Sequence, residues 1–91
     1  MSDFNPNWAT HPGEHLFEYM KTMEVSMAWL SVKTDLPEPT IRDILNKERP
    51  VTGVEASDFE EVFGLKASIW LGLQENWDKQ QKHLKERGVN V

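Results

Sequence analysis

The chain has 91 residues, 38% hydrophobic and 27% charged, with 10 Lys+Arg against 15 Asp+Glu for a net charge of −5. That size and balance fit a single soluble core, and they exclude a disordered acidic chain, a membrane span of about 18–20 apolar residues and a coat protein that needs an overall basic surface for nucleic acid. The absence of cysteine excludes disulfides, thiolate metal sites and thiol catalysis, the first ten residues lack the basic and apolar regions of a secretory signal, and the cytoplasm is the expected location.

Residues 1–12 read as an irregular arm, with Asn5-Pro6-Asn7 and Thr10-His11-Pro12-Gly13 as turn formers and Phe4 and Trp8 as side chains that could pin it down. From Gly13 the pattern turns helical. Leu16, Phe17, Met20 and Met23 form an apolar stripe with Glu18 and Lys21 outside it, which predicts a helix over about 13–23. Ser26 can cap a second helix, about 26–34, with Ala28, Leu30 and Ser31 inward. Asp35-Leu36-Pro37-Glu38-Pro39 is a break, because proline fits a first helical turn but not a helix interior. A third helix runs from Thr40 to Asn46 on Ile41, Ile44 and Leu45, and Lys47 to Val51 is a loop. Thr52 can cap a fourth helix with Ala56, Phe59, Val62 and Phe63 inward, ended by Gly64. A fifth and longest helix spans about 67–87, with Lys82, Lys85 and Arg87 near its C-terminus, where cations favour the dipole, and Gly88 as its stop. No useful segment alternates with period two. The expected architecture is all-α: an arm over 1–12, a five-helix domain over 13–87 and a tail over 88–91.

Helices two and three, joined by a tight break, have the proportions of a helix-turn-helix, in which the second helix of the motif enters the major groove. The literal residues carry more. His11-Pro12-Gly13-Glu14 opens the first helix, Ile41-Arg42-Asp43-Ile44-Leu45-Asn46-Lys47-Glu48-Arg49-Pro50-Val51-Thr52 covers the third helix and its exit, and Gly64-Leu65-Lys66-Ala67-Ser68-Ile69-Trp70-Leu71-Gly72-Leu73-Gln74-Glu75-Asn76-Trp77 opens the fifth. Over about residues 11–80 this resembles the HigA-type antitoxins, a branch of the lambda-repressor-like (XRE) helix-turn-helix family. Their pattern reads HPGE, then ILNG-KRP-[IV]-T, then LG-x-x-x-x-x-WL-x-LQ-x-x-[YW]-D. The last block is the specific one, because generic XRE domains lack it. The resemblance implies a five-helix domain that dimerises, represses its own operon through an inverted-repeat operator and neutralises a cognate RNA-cleaving toxin.

The DNA-binding set that the resemblance implies is Met27, Glu38, Thr40, Arg42, Asp43, Asn46, Lys47 and Arg49. Thr40 and Arg42 would reach base edges, Arg by pairing with guanine and Thr by meeting a thymine methyl, while Asn46, Lys47 and Arg49 would contact phosphate. Several positions depart from the family. Met27 stands where a phosphate-binding Gln is usual, Asp35 for the turn Gly, Pro37 for a capping Ser, Lys47 for a Gly and Glu48 for a basic residue. Across 26–52, Lys33, Arg42, Lys47 and Arg49 are matched by Asp35, Glu38, Asp43 and Glu48. Phosphate neutralisation drives most affinity, so this neutral face also fits an alternative, a protein-interaction module with the same fold and weak or absent DNA binding. A bland reading of Arg42 is an ion pair with Glu38 one turn back.

Trp70, Leu73, Trp77 and Leu84 share one face of the fifth helix. Trp70 and Leu73 should close the core. Trp77, Gln81 and Leu84, further along, should meet a second subunit. Trp29 and Val32 stand at usually polar positions and either cover the first helix or form a patch for a protein partner. His11-Pro12-Gly13-Glu14-His15 matches the H-x-x-E-H metalloprotease string, but Pro12-Gly13 is a poor interior for the helix that string needs, so the stretch reads as a helix start. No nucleophile–base pair, phosphate loop, metal set or cofactor site emerges, and no enzyme is expected.

Overall fold

Local signals place five helices where the periodicity puts them. The computed structural model describes residues 9–88, so Phe4, Trp8 and the tail beyond Gly88 lie outside the described residues. α1 spans Pro12–Met23, with Pro12 in its first turn, where a missing N–H costs nothing. Its cap is His11, whose Nδ1 accepts the Gly13 N–H at 2.8 Å. α2 spans Met27–Thr34 and is capped by Ser26, whose Oγ accepts the Trp29 N–H at 3.0 Å. α3 spans Glu38–Leu45 and starts earlier than Thr40, the expected first residue. The reason is that Pro39 falls in the first turn, where its ring is tolerated, so the break is shorter than two prolines suggested. α4 spans Gly53–Phe63, and the Glu55 carboxylate reaches back to accept the Thr52 hydroxyl and the Thr52 N–H, the latter at 2.7 Å. Gly64, at φ 87°, ends α4 as expected. α5 spans Ala67–Gly88, and the expected stop after Gly88 falls at the edge of the described residues. No strand occurs among the described residues, and none of their helices is long and apolar enough to cross a membrane.

The core is built from Leu16 and Met20 of α1, Leu30 of α2, Leu36, Ile41 and Ile44 of the α3 region, Val51, Ala56 and Phe59 at α4, and Trp70 of α5. Trp70 is fully buried, as expected, and its ring meets Phe59 at 5.1 Å and Tyr19 at 6.0 Å between centroids. Tyr19 stacks in turn on Phe63 at 5.2 Å. Leu73, expected to close the core with Trp70, is half-buried. The inward set expected for α2 needs correction: Leu30 and Thr34 are its buried residues, Ser31 is half-buried and Ala28 is exposed. In a helix of barely two turns the positions that face the core are one turn apart, and Ala28 lies off that line.

Gly13 fixes how α1 and α3 meet. A Cβ built there would lie 2.0 Å from the Ile44 carbonyl oxygen, so only glycine allows the two backbones to approach this closely. Gln74, almost fully buried on α5, accepts the Val51 N–H at 2.8 Å and donates to Asp78 at 2.9 Å. It ties the long helix to the segment that leaves the α2–α3 unit.

Candidate nucleic-acid interface

α2 and α3 form the helix-turn-helix, and the turn between them is set by Asp35 in the left-handed region at φ 64°. This is the position where the family pattern has Gly, and Asp is one of the few other residues that tolerates it. The inner face of α3 buries Ile41 and Ile44, which turns Glu38, Arg42 and Asn46 outward to solvent, with Thr40 and Asp43 half-buried at the edges. Arg42 forms no ion pair among the described residues, so the bland alternative of a pair with Glu38 does not hold, and its guanidinium is available on the outer face.

The first turn of α3 offers few backbone donors. Pro37 supplies no side-chain cap, as the lost Ser predicted, Pro39 has no N–H, and the Thr40 and Ile41 N–H groups both donate to the Pro37 carbonyl, at 3.0 and 3.2 Å. At the start of α2 the Ser26 side chain and backbone carbonyl take the Trp29 and Leu30 N–H groups. That leaves the Met27 and Ala28 N–H groups as the ones a helix start would aim at an anion. Met27 itself is half-buried against the core.

The cations divide into two kinds. Arg42 and Arg49 are exposed. Lys33 lies 5.5 Å from the Trp29 ring centroid, and Lys47 sits 2.9 Å from a Glu14 carboxylate oxygen and 5.8 Å from the Trp77 ring centroid. Lys47 is also left-handed, at φ 64°, where the family pattern has Gly. Arg49 contributes to the field at Glu55: burial opposes the Glu55 charge, but the Thr52 hydroxyl and N–H, with Arg49, outweigh it and hold the carboxyl below its ordinary value.

Around the interface, His11 is buried with its ring edge-on to Trp77, 5.2 Å between centroids. Burial, and then the Lys47 charge, push its pKa below the ordinary value against smaller opposing effects of Asp78 and Glu14. Trp77 is half-buried with its ring engaged inside the chain, whereas Gln81 and Leu84 further along α5 are exposed. Trp29 is half-buried and packs on the core, while Val32 is 78% exposed, so the partner patch would consist of Val32 and one side of an indole.

No protein-family model matches the chain. A HigA-family addiction-module antidote protein from Coxiella burnetii superposes with a TM-score of 0.76 at 30% identity, over 90% of this chain and 89% of that one. The chain is also 30% identical to virulence-associated protein I of Dichelobacter nodosus over 84 residues, 91% of this chain and 78% of that protein.

The chain belongs to the HigA family of antitoxin proteins.

The fold agreement extends to Pseudomonas aeruginosa HigA, solved with the higBA promoter, at a TM-score of 0.83 and 24% identity over 90% of each chain. In this HigA-family chain the resemblance read from HPGE and the WL-x-LQ block is therefore correct. Residue reasoning did not foresee that His11 caps α1 from a buried position, that Glu14 pairs with Lys47, or that Gln74 joins α5 to Val51. One signal was present in the sequence: a Lys at a family Gly position raises the question of where its charge goes.

Proposed function

We propose that this HigA-family chain is an antitoxin-type transcriptional regulator that binds an inverted-repeat operator as a homodimer through α2 and α3 and pairs with a cognate RNase toxin. It acts as a binding protein in the cytoplasm, with no catalysis of its own. The observation that carries the reading is Arg42, an exposed guanidinium without an ion-pair partner among the described residues, on the outer face of the second helix of a helix-turn-helix. An arginine there can pair bidentately with guanine, and Thr40 can meet a neighbouring thymine methyl. Asn46, Arg49 and the Met27 and Ala28 N–H groups are suited to phosphate. Glu38 and Asp43 oppose the backbone charge and keep affinity modest. Gln81 and Leu84, the latter 52% exposed, supply the α5 surface for the second subunit.

The test is titration of a duplex carrying the inverted repeat upstream of the gene, at three salt concentrations. A dimer making one cationic phosphate contact per subunit, through Arg49, gives a slope of log K against log salt of about −2. Arg42→Ala binding as tightly as the parent would show that α3 is not the reading helix. No binding at low salt would leave the interaction module as the function. Sedimentation at tens of micromolar that shows only a 10.6 kDa species would overturn the dimer.

A further inference from the structure

Lys47 is the residue whose surroundings the DNA-binding reading explains least. It follows α3 directly, in the loop where a phosphate contact would be expected. Its backbone is left-handed, a conformation that disfavours any side chain, and its N–H donates to the Ile44 carbonyl at 3.0 Å. Its ammonium lies 2.9 Å from Glu14 Oε2, in an ion pair whose side chains are 42% and 49% exposed, and 5.8 Å from the Trp77 ring centroid. Three elements converge there: α1 through Glu14, the exit of α3 through Lys47 itself, and α5 through Trp77. The contact lies next to a close backbone approach, since Gly13 precedes Glu14 and faces the Ile44 carbonyl. A second observation agrees. Buried His11 caps α1 at the same junction, touches Trp77, and is held toward its neutral form by burial and by the Lys47 charge, against Asp78 from α5 and Glu14 from α1.

We propose that Lys47 is a positioning residue for the reading helix, its ammonium held in the α1–α3–α5 junction by Glu14 and Trp77, and that it does not neutralise a DNA phosphate. The DNA half of this statement rests on the regulator reading; the junction half does not. Lys47 replaces the conformational freedom of a glycine with a side-chain clasp. The clasp fixes the C-terminal end of α3, and with it the angle at which Thr40 and Arg42 are presented.

Three measurements on the full chain decide it. In NMR pH titrations, Lys47→Gln should move the His11 pKa upward; an unchanged His11 titration would overturn the proposal, because the ammonium would not be at the junction. In titrations of the inverted-repeat duplex, Lys47→Gln should weaken binding and leave the salt slope at the parent's value, whereas a slope shallower by about 0.9 per subunit would identify a lost phosphate contact and overturn it. Glu14→Lys and Lys47→Glu should each lower affinity and melting temperature, and the double swap should recover much of both. A double variant as weak as Lys47→Glu alone would overturn the proposal. If the parent itself does not bind the duplex, the regulator reading fails, and the His11 titration and the melting-temperature rescue still decide the clasp.

Discussion

The two ends of α3 are held differently. At its C-terminal end, the Asn46 and Glu48 N–H groups return to the Arg42 and Asp43 carbonyls, the Ile44 carbonyl lies against Gly13, and Lys47 reaches Glu14. At its N-terminal end, Pro37, Glu38 and Pro39 are exposed and no side chain caps the helix. The fastened end carries folding energy, and the exposed end is left to meet a ligand. Substitutions at the two ends should therefore register in different measurements, stability at one and affinity at the other.

The strongest way to break that division is Gly13→Ala. A methyl group there meets a backbone oxygen that cannot move without moving α3, and overpacking of this kind costs about 1–3 kcal/mol or more. Chemical denaturation should show a loss at the top of that range. A loss within experimental error would mean that α1 and α3 slide apart easily, and the contrast between the ends would collapse. Arg42→Ala should do the opposite: about 1–3 kcal/mol lost in operator binding with relaxed preference at one base pair, and an unchanged denaturation midpoint.

Much of this was legible in the residues, and the limits have physical causes. Pro and Gly mark chain breaks through their own backbone restrictions, so the helix starts at His11-Pro12 and Thr52 and the stop at Gly64 could be read locally. Trp70 was readable as core because its spacing with Leu73 matches a helix turn. The inner face of α2 was misassigned at Ala28 because two turns give periodicity too little length to settle a phase. The Glu14–Lys47 and Gln74–Val51 contacts join residues far apart in sequence, and no local pattern encodes them. In the candidate site, residue identity gave the charge balance, but only the structure shows that Lys47 and Lys33 face side chains of the same chain, whereas Arg42 and Arg49 make no ion pair or ring contact among the described residues.

The α1 cap offers a pH test of the fastened end. His11 accepts a hydrogen bond through Nδ1, which requires the neutral ring, and its folded pKa lies below the ordinary 6.5. Between the folded and unfolded values the unfolded chain binds more protons, so stability rises with pH. The contribution is complete above 6.5 and is lost as pH falls through the lowered folded value. Glu55 follows the same sign in a more acidic window, below its ordinary 4.5. His11→Ala should remove the part of the slope near neutrality and cost about 1 kcal/mol through the lost cap. Melting temperatures of parent and variant that run parallel from pH 8 to 5.5 would show that His11 does not carry it.

The smallest effect is expected at Glu38, and its sign matters more than its size. Glu38 sits in the first turn of α3, where a carboxylate favours the helix dipole by about 0.3–1 kcal/mol. On the DNA side the same carboxylate repels phosphate, a penalty that does not depend on base sequence. Glu38→Gln should therefore lower stability slightly and tighten binding to every duplex alike, operator and scrambled control. Tightening on the operator alone would mean that Glu38 reads bases and does not act through charge. Weaker binding to both would mean that its contribution to holding the start of α3 outweighs its repulsion, and the exposed end would then be less independent of folding than its lack of a cap implies.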